Sequence, residues 1–386
     1  MKSLSQMRDV LIAGVGMTRW GSFAERTCHE IGGEAIRNTL ADAQMGLGDV
    51  QAVFSGSVYQ GTGAGHQAVK EIGLTGVPIV NVENACSSTA SALRLAYQSV
   101  AAEIYDVVLV LGMEKMPRGP IPSTAFPDWK LKHGFNMQPS NYALITQQYM
   151  HKTGASSEDI SLVTVKNRQN GSLNPNARFQ APVSLEEVMA SRMVSTPLQL
   201  LHCSPLADGA VGIIVSSRDK LKNAEKPVTI AASVLTSALY GDEYGPGDLV
   251  GSLKYPPAEN FAELSARGAY EEAGIGPEDI DVAQVYDAVA AGELWDIEEL
   301  GLCPEGEAPA RLRRGEFNLG GRIPVNTDGG LMARGHPLGA TAGGQIYELV
   351  LQLREKAEKR QVSDARIGLA HAMGAGGNSA VTILKA

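Results

Sequence analysis

Val10-Leu11-Ile12-Ala13-Gly14-Val15-Gly16 is a run of small and apolar side chains of the length of a buried strand. A helical stretch follows from Glu30 to Ala43, then Gly46-Leu47-Gly48-Asp49-Val50 and a strand from Ala52. The same order returns later in the chain. Pro227-Val228-Thr229-Ile230-Ala231-Ala232-Ser233 reads as a strand and Phe261 to Ala273 as a helix. Gly276-Pro277-Glu278-Asp279-Ile280 then leads into a strand from Val282. Ala43 to Asp49 and Ala273 to Asp279 have the same spacing. Each series then continues with a helix of small residues and a strand: Val107 to Leu111 in the first, Gly339 to Leu353 and Arg366 to Ala370 in the second. Two copies of one strand–helix unit predict an α/β chain of two similar halves, residues 1–225 and 226–386.

Between Met116 and Asp208 the pattern changes. Prolines at 117, 120, 122, 127 and 139 break regular structure. Tyr142 to Lys152 and Ser184 to Met193 read as helices within an inserted segment of about residues 117–207. An insertion of this length after a core strand is usually functional, often a lid or binding loop.

A chain of 386 residues, 44% hydrophobic, supports one large core or two fused ones. A net charge of -9 argues against a nucleic-acid partner. Cys28, Cys86, Cys203 and Cys303 have neither disulfide-framework nor zinc-ligand spacing, so no metal and a reducing compartment are expected. The N-terminus lacks a signal-like apolar region, and the longest apolar runs are strand-sized. These features predict a cytoplasmic protein without a membrane partner.

One cysteine stands apart. In Val80-Asn81-Val82-Glu83-Asn84-Ala85-Cys86-Ser87-Ser88-Thr89, Cys86 lies where an apolar stretch gives way to a helix of small residues. A helix N-terminus favours the thiolate, so this setting is expected to lower the thiol pKa. Arg334-Gly335-His336-Pro337-Leu338-Gly339 places a candidate base, His336, at the equivalent helix start of the second copy. A pseudo-two-fold arrangement would bring nucleophile and base together.

Four segments carry a resemblance: Asn84-Ala85-Cys86-Ser87-Ser88, Cys203-Ser204-Pro205-Leu206-Ala207-Asp208-Gly209-Ala210, Gly335-His336-Pro337 and Gly374-Ala375-Gly376-Gly377. In this order they resemble the thiolase superfamily over essentially the whole chain. Asn326-Thr327-Asp328-Gly329-Gly330 and the segment from Glu299 to Gly306 place the resemblance in the sterol-carrier-protein type. The resemblance implies a five-layer α-β-α-β-α sandwich with a loop domain, assembled as a homodimer or dimer of dimers. It implies CoA thioester substrates, with coenzyme A as co-substrate and no covalently bound cofactor. The reaction implied is retro-Claisen thiolysis of a 3-oxoacyl-CoA through an acyl-Cys86 intermediate. His336 would take the thiol proton and, with the backbone N–H groups of Cys86 and Gly374, form the oxyanion holes.

Two departures matter. Thiolases carry a second cysteine before the C-terminal glycines, where this chain has Ala372. The sterol-carrier type supplies it from a His-Asp-Cys-Phe segment, which here reads Tyr286-Asp287-Ala288-Val289. His371 and Tyr286 are the candidate substitutes, as acid/base and hydrogen-bond donor. Asp287 reads as a structural acceptor. Ala288, Val289 and Ala372 predict space for a bulky or branched 3-oxoacyl-CoA, a description that suits the benzoylsuccinyl-CoA thiolases. A ketoacyl synthase is set aside because its Cys-His-Asn set is not evident, and two other functions are weighed. One is a steroid-type retro-aldolase acting on a 3-hydroxyacyl-CoA with a small zinc-ribbon/OB-fold partner subunit; those relatives use tyrosines and lose Gly-His-Pro. The other is a non-catalytic acyl-CoA or lipid carrier.

Overall fold

The computed structural model describes residues 7–119, 132–133, 137–222, 226–239 and 260–386. Of the expected chain breakers, Pro120, Pro122 and Pro127 lie outside the described residues, as does Glu225 at the expected boundary. The first copy runs β1 (Val10–Met17), α1 (Cys28–Ala43), β2 (Ala52–Gly56), α2 (Ala64–Lys70), β3 (Ile79–Val82), α3 (Ser88–Ala101) and β4 (Val107–Glu114). The insertion contributes α4 (Gln138–Thr153), α5 (Ser157–Gly171), α6 (Leu185–Met189), β5 (Met193–Ser195) and β6 (Leu198–Gln199). Strand β7 (Gly209–Ser217) then returns to the core. The second copy runs β8 (Val228–Ser237), α7 (Phe261–Ala273), β9 (Val282–Gln284), α8 (Ala290–Glu299), α9 (Ala308–Arg313), α10 (Gly330–Arg334), α11 (Thr341–Leu353), β10 (Ile367–Gly374) and β11 (Asn378–Lys385).

Among the described residues, nine strands form one hydrogen-bonded series, β3-β2-β4-β7-β1-β8-β11-β10-β9, and β5 and β6 form a separate hairpin. The series joins two half-sheets through a short antiparallel contact, Leu11 opposite Thr229 and Ile12 opposite Val228. Within the halves β2 pairs parallel with β4, and β9 with β10. The second copy even keeps a remnant of β3, a parallel bridge between Ala283 and Val325. Both faces of the central strands are apolar, as expected where helices cover both sides. Along β4 the side chains alternate: Val108 and Val110 pack inward with Leu93 and Tyr97 of α3, while Leu109 and Leu111 pack outward with Ile31 and Ile36 of α1. Helices α3 and α11 lie between the half-sheets, each touching strands of both copies, and α1 and α7 cover the outside. This is the expected five-layer sandwich.

The expected helix at Ser184 to Met193 ends at Met189; the last residue starts the short hairpin β5–β6. The strand expected over Arg366 to Ala370 runs on to Gly374, because its pairing with β11 continues to Asn378. The described part of the insertion is packed rather than lid-like. Tyr149 of α4 stacks edge-on with Trp295 at 6.2 Å and donates to Glu298. Lys166 of α5 forms a buried ion pair with Glu293 at 2.9 Å. Residues 290–297 of α8 are buried although two of them are acidic. Its acids are taken up internally: Glu293 by Lys166, Asn167 and Asn326, and Asp296 by His371 and the Tyr286 N–H. Among the described residues, no helix is long and apolar enough to cross a membrane.

Candidate active site

Cys86 lies in a single 3-10 turn, Ala85–Ser87, directly before α3. The preceding Ala85 has φ 47°, a left-handed conformation that costs a residue with a Cβ roughly 1 kcal/mol. Local bonds hold it there. The Ala85 N–H donates to the Glu83 carboxylate at 2.7 Å, the Ser88 hydroxyl to the Ala85 carbonyl at 2.6 Å, and the Asn84 side chain to Ser91 at 2.8 Å. From the other copy, the end of β10 closes on this turn. A Cβ at Gly374 would collide with the Asn84 carbonyl oxygen, so only glycine fits there.

His336 sits on the turn after α10. The Thr341 hydroxyl donates to the Pro337 carbonyl at 3.0 Å. Its oxygen therefore accepts from His336 Nδ1–H, 2.7 Å away. That bond leaves Nε2 as the lone-pair nitrogen. Nε2 faces the Tyr286 hydroxyl at 3.3 Å, with the two rings edge-on at 5.6 Å. The turn is fixed to the first copy by Glu114, at the end of β4. Its buried carboxylate accepts the N–H groups of Gly339 (2.9 Å), Val58 (2.9 Å) and Tyr59 (3.0 Å), and the Gln60 amide. The Thr89 hydroxyl of α3 adds a bond to the Gly339 carbonyl.

Tyr286 is the side chain that the two copies share. Its hydroxyl is within hydrogen-bonding reach of the Cys86 thiol as well as of His336 Nε2. It also meets Tyr142 of α4, a residue read from sequence only as part of an amphipathic helix. Cys86, Tyr286, Ala288, Leu331 and Met373 form one buried cluster, with Tyr142 packed against it. Cys86 is 7% exposed, Tyr286 4% and His336 6%.

This burial overturns one expectation. Burial pushes the Cys86 thiol up to about 12 instead of lowering it. Burial, reinforced by the nearby Arg334, drives His336 down to about 3. The resting pair is therefore thiol and neutral imidazole, not thiolate and imidazolium. Iodoacetamide should accordingly label Cys86 of the free protein more slowly than an ordinary cysteine at about pH 7, with a rate still climbing at about pH 9. A plateau reached below about pH 7 would show a low-pKa thiolate and contradict the burial argument.

The other sequence candidates divide clearly. His371 is fully buried and both ring nitrogens are engaged, Nδ1 with Asp296 at 2.8 Å and Nε2 with Ser379 at 3.0 Å. Ser379 passes the chain to Ser265, which donates to the Ala262 carbonyl. This wiring is that of a structural histidine, so the expected acid/base role is not supported. Asp287 is the structural acceptor foreseen, taking the N–H groups of Leu331 (2.7 Å) and Met332 (3.2 Å) at the start of α10. Ala372 packs with Ala90, Ala342 and Ala380 between the central helices. Of the three small residues expected to leave room, Ala288 is the one that shares a cluster with Cys86. His202 is held by Ser161 and the Gln199 N–H.

Comparison with known proteins agrees with this geometry. The family pattern described as Thiolase, N-terminal domain matches residues 10–219, and that described as Thiolase C-terminal domain-like matches residues 255–386. The benzoylsuccinyl-CoA thiolase subunit BbsB of Thauera aromatica is 36% identical, over 96% of this chain and 95% of its own. Sterol carrier protein 2 of Oryctolagus cuniculus is 35% identical, over 100% of this chain and 73% of its own. Among solved structures, the Ltp2-ChsH2(DUF35) aldolase superposes with a TM-score of 0.86 at 27% identity, covering 98% of each chain. With both halves matched by family patterns and a relative of this identity along nearly its whole length, the chain belongs to the thiolase family of acyltransferases.

Proposed function

We propose that this protein cleaves a bulky or branched 3-oxoacyl-CoA by thiolysis, with Cys86 as nucleophile. The observation that carries the reading is the convergence of Cys86 and His336, from different copies of the duplicated unit, on the single hydroxyl of Tyr286. Cys86 sulfur adds to the C3 ketone, and the N–H groups of Cys86 and Gly374 stabilise the oxygen that becomes negative. Collapse breaks the bond between the α and β carbons, leaving acyl-Cys86 and an enolate that takes up a proton. The thiol of coenzyme A then accepts the acyl group. Because the thiol rests neutral, its proton leaves as the carbon–sulfur bond forms, not before.

The similarity to a benzoylsuccinyl-CoA thiolase subunit supports an α-substituted or aryl substrate, and Ala288 beside Cys86 supports room for it. That relative is named as a subunit, and the Ltp2-ChsH2(DUF35) structure pairs two kinds of chain. Both support a heteromeric assembly for this chain, with a small zinc-ribbon/OB-fold subunit as the proposed partner. Free cysteines at 28, 86, 203 and 303 support a reducing, cytoplasmic setting.

A second reading, retro-aldol cleavage of a 3-hydroxyacyl-CoA, is favoured by Tyr286 and by the aldolase superposition. The intact His336, ordered by Thr341, favours acyl transfer. Incubation with benzoylsuccinyl-CoA and free coenzyme A, followed by mass spectrometry, decides between them. An acyl adduct on Cys86 with turnover is the expected outcome. Cleavage of a 3-hydroxyacyl-CoA without an adduct would establish the aldolase, and binding with neither would establish a carrier.

A further inference from the structure

We propose that Tyr286 is a proton relay between Cys86 and His336, and that the same relay returns the proton to the substrate's α-carbon. The inference rests on the thiolysis reading and adds to it the path of the proton.

The hydrogen-bond inventory leads there. Thr341 has one hydroxyl proton and gives it to Pro337, so His336 must donate from Nδ1 and accept at Nε2. The group facing Nε2 is the Tyr286 hydroxyl, which therefore donates its only proton to the imidazole. Two lone pairs remain on the phenol oxygen. Among the described residues, the Cys86 thiol shares one buried cluster with Tyr286, Tyr142 packs against that cluster, and each has a proton to give to this oxygen. Every donor and acceptor of the phenol is then used, in a buried cluster that also holds Leu331 and Met373. Tyr142 touches neither base nor nucleophile in this scheme; it positions Tyr286.

The step balances. As sulfur bonds to the ketone carbon, the S–H bond breaks and its proton passes to the Tyr286 oxygen. The original Tyr286 proton passes to His336 Nε2. The products are the tetrahedral oxyanion, an imidazolium and an unchanged neutral phenol. When the carbon–carbon bond breaks, its electron pair goes to the α-carbon. The imidazolium proton returns through the same hydroxyl to that carbon, and the imidazole is restored. No separate acid is consumed. Ala288 and Ala372, which occupy both positions where the family resemblance places a second thiol, then leave no gap in the chemistry.

Three measurements test the relay. In quenched single-turnover experiments with benzoylsuccinyl-CoA, the wild-type acylation rate in H2O/D2O mixtures should give a curved proton inventory with two protons in flight. Tyr286→Phe should slow acylation roughly 100-fold or more, with unchanged affinity for the CoA thioester and an unchanged melting temperature. Tyr142→Phe should slow it roughly tenfold and keep the two-proton inventory. A linear inventory in the wild type would overturn the relay without any variant having to fold. Wild-type acylation rates in Tyr286→Phe would overturn the relay while leaving thiolysis standing. Absence of acyl-Cys86 in the wild type would remove both.

Discussion

Replacement of Cys86 by alanine should reduce thiolysis by roughly 10⁴-fold or more while the protein stays folded. The sulfur is the atom that carries the acyl group, and among the described residues Cys86 is the thiol in the cluster where Tyr286 meets His336. The structural cost is small. Alanine fits the same 3-10 turn, and loss of one small buried side-chain atom is worth about 1 kcal/mol. Relief of nothing else is involved, since Ala85, not Cys86, holds the left-handed backbone. The check is a steady-state assay beside a thermal melt. Turnover within tenfold of wild type, in protein of normal melting temperature, would reject Cys86 as nucleophile and with it the acyl-enzyme route.

Glu114→Ala should damage both stability and activity. The Glu114 carboxylate is fully buried and gathers the N–H groups of Val58, Tyr59 and Gly339 and the amide of Gln60. Removing it strands the buried Gly339 N–H, at about 1–3 kcal/mol, and loses the part-buried bonds of Val58 and Tyr59, at about 0.5–1.5 kcal/mol each, so a loss of about 2–6 kcal/mol is expected. That is a large share of the roughly 5–15 kcal/mol that holds a typical domain together. Burial holds the Glu114 carboxyl above its usual pKa, which offsets part of the loss because the charge was already costly to bury. Activity should fall further than stability accounts for. Gly339 lies in the turn that begins at His336, so loosening it moves Nε2 away from Tyr286. Chemical denaturation gives the first quantity, and kcat measured well below the melting temperature gives the second. A change below about 1 kcal/mol would show that the turn is held by its glycine and proline geometry alone.

The duplicated framework was legible because it rests on local patterns. Apolar runs, the Asp49 and Asp279 turns and the small-residue helices each report their own conformation. Both turns close as expected, with the aspartate capping the N–H of Gly46 or Gly276. Cys86 and His336 were legible from their settings, and Tyr286 from a substitution within a known motif. Three things were not. The direction of the thiol's pKa depends on how completely Tyr142, Met373 and Leu331 exclude water, which no local pattern states. Tyr142 has the spacing of a core position in an amphipathic helix, and nothing in that spacing reveals which core it enters. His371 beside the glycines looks like an available base until Asp296, 75 residues away in sequence, and Ser379 are seen to occupy it. Each miss concerns a partner brought in from a distant part of the chain.

The reactive centre draws Cys86 from an early stretch, Tyr142 from the insertion, and Tyr286 and His336 from near the end. A ribosome making this polypeptide therefore exports a cysteine long before the groups that arm it exist. During synthesis that cysteine lacks the partners it works with, so acyl transfer through it waits until the insertion and the second copy have folded around it.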